Sequence, residues 1–272
     1  RTEFETAYHI RPKKISEFRD AEGLRKYLIE TLYQFIYKTQ LGTVLRFDRK
    51  LFNNATPFVK IGSGSIGGKA RGLAFVDFLL SKGDISGRFP GVFITVPNTI
   101  VLATDVFDFF IEQNNLDGII EEPQSGERIA DAFLKARLPD YVMEELRAII
   151  EKLEGPLAVR SSSLLEDSKT QPFAGVYKTY MLANNNPDPG ARLRELEKAV
   201  KFVYASTFSR EAKAYRKLTP HLPDEEKMAV VIQKVVGRSY AGGARFYPVF
   251  SGVVQSYNYY PAPPLLSEDP IA

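Results

Sequence analysis

PLAVRSSSLLEDSKTQPFAGVYKTYM, residues Pro156 to Met181, is the stretch on which a reading of this 272-residue chain turns. It opens with a short apolar run, Leu157, Ala158 and Val159, that ends in Arg160. Ser161, Ser162 and Ser163 follow, then the acidic pair Glu166 and Asp167, then a Phe-Ala-Gly turn at Phe173 to Gly175. An apolar run ending in arginine reads as a buried strand that delivers a permanent charge to its end. Small hydroxyl side chains beside a guanidinium suit a polyanion, which the guanidinium grips with two parallel N–H bonds. A strand-end Arg160 paired with Glu166 or Asp167 would use the same residues, and this stretch by itself leaves both readings open.

Toward the N-terminus, FVKIGSGSIGGKARGLAFVDFLLSKG (Phe58 to Gly83) predicts a strand over Phe58–Ile61, a glycine-rich loop over Gly62–Gly68, and Lys69 opening a helix. Leu73, Val76 and Leu80 are expected on its inner face, with Gly83 as the stop. Gly62, Gly64 and Gly67 satisfy the G-x-G-x-x-G spacing, but no clear βαβ unit with an acidic residue on the next strand accompanies them. A P-loop is excluded, because Ser63 stands where its first glycine belongs and Ala70 where its magnesium-binding Ser/Thr belongs. What the residues support is an anion cradle of backbone N–H groups, a helix start and the Lys69 charge. A flexible turn with a solvated lysine is the alternative.

The remaining segments alternate in kind. Leu24, Leu28, Leu32, Phe35 and Ile36 recur at helical spacing, so residues 1–57 read as a helical N-terminal extension or connector ending near Pro57. Gly91–Pro97 (GVFITVP) predicts a buried strand, and Thr104 or Asp105 a cap for a helix whose Phe107, Phe110 and Ile111 face a core. Helices are expected around Arg128–Leu138, Pro139–Leu153 and Ala191–Lys217, and strands over Met228–Val236 and Phe246–Val254. Asn184–Gly190 is a turn-forming loop. The sum is a mixed α+β chain.

Composition narrows the partners. With 36 Lys+Arg against 33 Asp+Glu, the net charge of +3 is too small to argue for nucleic acid. The absence of cysteine removes thiol nucleophiles and thiolate metal sites. No apolar run approaches the roughly 20 residues that span a bilayer, so no membrane partner is expected and a cytoplasmic location is the default. A chain that starts at Arg1 and stops in a proline-rich run is expected to be a fragment.

Read together, GGKARGL (Gly67–Leu73), AVRSSSLLED (Ala158–Asp167), FAGVYKTY (Phe173–Tyr180), YASTFSREAKAYR (Tyr204–Arg216), AVVIQKVV (Ala229–Val236) and SGVV (Ser251–Val254) resemble the nucleotide-binding domain of phosphoenolpyruvate synthase and pyruvate phosphate dikinase. The six segments come in the family's order and cover roughly residues 60 to 255. The resemblance implies an ATP-grasp-like, two-lobed domain, C-terminally incomplete. Its first lobe would span 58–155 and its second lobe, with the start of an incomplete C-terminal part, 156–272.

It also implies roles. Lys69 and Arg160 would hold the ATP phosphates as the catalytic pair, with Gly67 and Gly68 in the loop and Ser161 and Ser162 beside the phosphates. Phe173, Ala174 and Gly175 would belong to a mobile lid, and Gln233 with the backbone near Val235 would form the hinge that reads adenine. The implied cofactors are ATP and Mg2+. A histidine on a separate swivelling domain would take the phosphoryl group and pass it to pyruvate on a third domain. Related dikinases that phosphorylate glucans or rifamycin share the module, and a non-catalytic nucleotide sensor is the reading from another class.

Two departures accompany the resemblance. Gln255-Ser256-Tyr257-Asn258 stands where the family has Phe-Thr and a proline. The chain also ends before the family's magnesium-binding acidic and glutamine residues, so no metal ligand is assigned. His9 and His221 are expected at the surface, and neither has the context of the carrier histidine. The chain alone is therefore expected to be inactive.

Overall fold

A computed structural model describes residues 17–28, 44–53, 56–83, 92, 94–121, 126–163, 176–216, 227–243 and 245–253. The first unit, which ends at Val235, is built on one six-stranded sheet. Its strands are β1 (Leu45–Arg46), β2 (Phe58–Ile61), β3 (Thr99–Leu102), β4 (Leu157–Ser163), β5 (Thr179–Leu182) and β6 (Met228–Lys234), in the order β1-β2-β3-β6-β4-β5. The first three are parallel, and β6 runs antiparallel between β3 and β4. Consequently β2, β3 and β4 all end at the same rim of the sheet.

Side-chain alternation gives the sheet two apolar faces. Val59, Ile61, Ile100, Leu102, Leu157, Val159, Val230 and Ile232 join the larger core. Phe58, Val101, Ala229 and Val231 form a smaller one with Ala70. Strands covered on both faces must be apolar throughout, which is why β3 reads TIVL and every residue of it is buried.

Helix α1 (Gly67–Lys82) covers the smaller face. The helices α2 (Thr104–Gln113), α4 (Gly126–Lys135), α5 (Asp140–Lys152) and α6 (Pro189–Ser206) contribute to the larger core, with the short α3 (Asp117–Glu121) leading into α4. Asp188 starts α6 by accepting the Gly190 and Ala191 N–H groups at 2.8 and 3.0 Å, with Pro189 at the first turn. Tyr204 on α6 packs its ring 5.0 Å from Phe107 and 5.4 Å from Phe110, tying α6 to α2.

Several expectations move. The described residues of 91–97 carry no strand; the strand begins at Thr99, past Pro97, which has no N–H for a ladder. The helix expected over Ala191–Lys217 breaks at Thr207–Ser209 and resumes as α7 (Arg210–Arg216), where Ser209 Oγ accepts the Ala212 N–H at 3.1 Å. On α1 the inner face is Ala70, Leu73, Ala74 and Asp77, while Val76 is 46% exposed. Within residues 45–52, β1 extends the sheet, and Phe47 and Phe52 enter the larger core. Strands from both sides of the 155/156 boundary share the one sheet.

The second unit begins at Val236. It holds an antiparallel hairpin of β7 (Arg238–Tyr240) and β8 (Arg245–Tyr247), turned by Ala241–Gly243 with Gly242 and Gly243 at φ 66° and 94°. The strand expected over 246–254 stops at Tyr247 because Pro248 follows.

Candidate functional site

The rim where β2, β3 and β4 end collects the motifs. Beyond β2 the chain enters the glycine loop, and beyond β3 it enters α2, whose first residues are Thr104 and Asp105. Asp105 Oδ2 accepts the Ser63 N–H at 2.8 Å and the Ser63 hydroxyl at 3.0 Å, and Oδ1 accepts the Gly64 N–H at 2.9 Å. Thr104 Oγ1 accepts the Ser65 N–H at 3.0 Å. Neither side chain caps α2, as the sequence had suggested; both cap the loop. A Cβ on Gly64 would lie 2.7 Å from the Asp105 nitrogen, so glycine is needed for this close approach. Of the N–H groups expected to cradle an anion, those of Ser63 and Gly64 are thus spent on a carboxylate of the chain itself, and those of Ser65 and Gly67 on hydroxyls.

Burial pushes the Asp105 carboxyl up, but the Ser63 and Gly64 N–H groups and the Ser63 hydroxyl together hold it below the ordinary carboxylate value. Thr104 and Asp105 are the functional residues that sequence reasoning missed. The signal was an acid three residues past a strand parallel to the one feeding the glycine loop, hidden because that strand was placed too early.

The end of β4 is occupied by Ser161, Ser162 and Ser163, all buried. The Ser162 hydroxyl accepts the Ala70 N–H at 3.0 Å and donates to the Ile66 carbonyl at 2.8 Å. Gly67, at φ 72°, lies against the same residue: a Cβ there would fall 1.7 Å from the Ser162 carbonyl oxygen. The start of α1 is therefore locked onto β4. From its first turn, Lys69 Nζ reaches Ser161 Oγ at 3.3 Å, one residue beyond Arg160.

Arg160 pairs with Val231 on β6 and Thr179 on β5. Alternation places it with Ala158, Ser162 and Gln233 on the face that α1 covers, and it is half-buried. Gln233 lies opposite Ala158 and donates from Nε2 to Thr99 Oγ1 at 3.0 Å. Val235 donates its N–H to the Pro156 carbonyl at 2.9 Å, so its carbonyl is what it has to offer a ligand. From the level of Gln233 to that of Ser161 is three residues of β4, about 10 Å of strand. Gln233, Arg160 and Ser162 thus follow one another on one face of the sheet, with Gly67 and Gly68 buried at the far end, whereas Ser161, the residue that Lys69 reaches, alternates with Val230 to the other face. Gly175, with Glu166, Asp167, Phe173 and Ala174, lies outside the described residues, as do His9 and His221.

The chain matches the AMP/ATP-binding domain of pyruvate phosphate dikinase over residues 63–263. It belongs to that family. Three curated proteins are similar to parts of the chain. The phosphotransferase YvkC of Bacillus subtilis is 26% identical over 152 residues, covering 55% of this chain and 17% of that protein. Phosphoenolpyruvate synthase of Aeropyrum pernix is 26% identical over 198 residues, 65% of this chain and 22% of the enzyme. The prodigiosin synthesizing transferase PigC of Serratia marcescens is 28% identical over 151 residues, 55% of this chain and 16% of that protein. The chain is an ATP-binding domain of a phosphotransferase family and spans a minor part of these relatives' lengths. Among the described residues no helix is long and apolar enough to cross a membrane.

Proposed function

We propose that this chain is the nucleotide-binding part of a cytoplasmic phosphotransferase of the phosphoenolpyruvate synthase kind. ATP would give a phosphoryl group to a carrier histidine on a separate swivelling domain, and that histidine would deliver it to pyruvate. The observation that carries the reading is the contact of Lys69 with Ser161, which brings a lysine to β4 at the residue beside Arg160. Phosphoryl transfer asks the protein mainly to position the phosphates and neutralise charge, and an arginine in the middle of β4 with a lysine reaching the next residue would meet that need. In this reading Lys69 and Arg160 hold the phosphates, Gly67 and Gly68 keep α1 close to β4, Ser161 and Ser162 set the geometry, and Gln233 with Val235 bounds the base. Gly175 would belong to the lid, and the whole would be an ATP-grasp-like domain.

Mg2+ would accompany the nucleotide and supply positive charge against its phosphates. Among the described residues no group of three or more His, Cys, Asp or Glu side chains could hold a metal ion. Relatives with names as different as phosphoenolpyruvate synthase and PigC share this module at similar identity, which keeps a glucan or antibiotic acceptor as the second reading. Calorimetric titration of ATP into the full-length protein tests the site. Arg160→Ala is expected to weaken binding by about 2 kcal/mol, roughly thirtyfold. Unchanged affinity would remove Arg160 from the site.

A further inference from the structure

We propose that Thr99 is a positioning residue for the nucleobase: it turns the Gln233 carboxamide so that the oxygen is its free end, and the site thereby selects a base carrying an exocyclic amino group. The role of Thr99 rests on the nucleotide reading above and names what that site accepts at its base end.

Thr99 and Gln233 are direct partners across β3 and β6. Alternation with Val101 and Val231 sets them on the face that α1 covers. Thr99 is buried, so its hydroxyl has to find partners within the protein. A hydroxyl has a single proton to give, and Thr99 Oγ1 donates it to the Pro97 carbonyl at 2.8 Å. Towards Gln233 it can then only accept, which it does from Nε2 at 3.0 Å. The reverse carboxamide orientation would set two oxygens against each other with no proton between them. The surrounding chain is held as well: Asn98 Nδ2 donates to the Thr56 carbonyl at 2.8 Å, and the Thr99 N–H to the Pro57 carbonyl at 2.9 Å.

Gln233 is half-buried; among the described residues its Oε1 has no hydrogen-bond partner, and it is not sealed from solvent. The backbone donors beside it are spent. The Lys234 N–H goes to the Asn98 carbonyl at 3.0 Å and the Val235 N–H to the Pro156 carbonyl at 2.9 Å. This strand end therefore offers a ligand acceptors, Gln233 Oε1 and the Val235 carbonyl. Acceptors call for N–H donors, and an amino group supplies two. Adenine carries one at its 6-position. Hypoxanthine has a carbonyl there and no amino group elsewhere, so it would oppose lone pairs to lone pairs, the mismatch by which a hydrogen-bonding site rejects an analogue.

The test is calorimetry of ATP and of inosine triphosphate with the full-length protein, as parent, Thr99→Ser and Thr99→Val. The parent and Thr99→Ser, which keeps the hydroxyl, are expected to favour ATP at least roughly tenfold, the worth of about one hydrogen bond. Thr99→Val keeps the branched shape without the hydroxyl, and its preference should fall below about threefold, through weaker ATP binding with inosine triphosphate little changed. A residue that only supports the sheet would weaken both nucleotides alike and leave the ratio intact. That outcome, or equal affinities in the parent, would overturn the role of Thr99 and leave the nucleotide site standing. A parent that binds no ATP would overturn the nucleotide reading and this role together. A measurement without variant or nucleotide keeps the proposal decisive if Thr99→Val does not fold. In the ¹⁵N-labelled 272-residue chain, the Gln233 side-chain amide should exchange with water at least roughly tenfold more slowly than that of the exposed Gln113, and equal rates would overturn the tie to Thr99.

Discussion

Replacing Ser162 with alanine removes one hydroxyl that spans the first turn of α1. In an uninterrupted helix the Ala70 N–H would donate to the Ile66 carbonyl. Here Ser162 Oγ serves both groups, accepting from Ala70 at 3.0 Å and donating to Ile66 at 2.8 Å. A net hydrogen bond contributes about 1 kcal/mol, and a buried group left without a partner costs about 1–3 kcal/mol. As the N-cap, Ile66 already accepts the first intrahelical bond, which keeps part of the bonding in place once the hydroxyl is gone. The expected destabilisation is therefore about 2 kcal/mol, a fall of roughly 1 M in the urea midpoint for a typical slope. Urea unfolding of the 272-residue chain, followed by far-ultraviolet circular dichroism, measures it directly. A shift below about 0.5 kcal/mol, the size of an ordinary surface substitution, would refute the claim that Ser162 locks α1 to β4.

Gly67→Ala should be harsher. Its Cβ would sit 1.7 Å from the Ser162 carbonyl oxygen at a φ of 72°, so a loss above about 3 kcal/mol is expected, and a melting temperature within about 2 °C of the parent would contradict the packing. Asp105 should make the loop acid-labile. Its carboxyl titrates lower in the fold than in the open chain, so its stabilisation is present above about pH 4 and is lost as pH falls through the folded value. Amide exchange at Ser63 and Gly64 should accelerate over that acid range in the parent, whereas in Asp105→Asn it should be fast already at neutral pH; identical profiles would refute the tie. Lys69→Met in the full-length protein should lower the yield of phosphorylated carrier histidine from ATP, and an unaltered yield would refute its role. The 272-residue chain by itself should show no pyruvate-dependent release of AMP, and robust release would mean that no further domain is needed.

What was legible in the sequence was local. Phe58–Ile61, the glycine loop and the helix behind it are consecutive in the chain, and their apolar spacing and glycines declare them. The run ending in Arg160 likewise forms β4, because its neighbours β5 and β6 need only an apolar partner. Order across the sheet was not legible: no local pattern tells β6 to insert antiparallel between β3 and β4. The roles of Thr104 and Asp105 depend on that order, since they reach the glycine loop only because β3 lies beside β2, about forty residues away in the chain. Ser162 was expected beside phosphates on resemblance alone, and its use as a helix lock depends on α1 crossing the face of β4. Val76 illustrates the limit of periodicity, because an apolar residue on α1 can face outward when Ala70 and Ala74 already satisfy the sheet.

The inward turn of the loop N–H groups changes how this site would hold a polyanion. In a phosphate-binding glycine loop, backbone dipoles share the charge with a lysine. Here Ser63, Gly64 and Ser65 donate to Asp105 and Thr104, so their dipoles are answered before any nucleotide arrives. In the reading proposed above, neutralisation would then rest more on full charges, Lys69 and Arg160, and on whatever cation accompanies the phosphates. Full charges near solvent are screened by salt, with a Debye length of about 10 Å at 0.1 M and ~3 Å at 1 M. ATP affinity should therefore fall as ionic strength rises, and the dependence should flatten when either Lys69 or Arg160 is neutralised. Calorimetry of the full-length protein across a salt series separates the two designs, because an affinity indifferent to salt would return the phosphates to backbone donors and take them away from this pair.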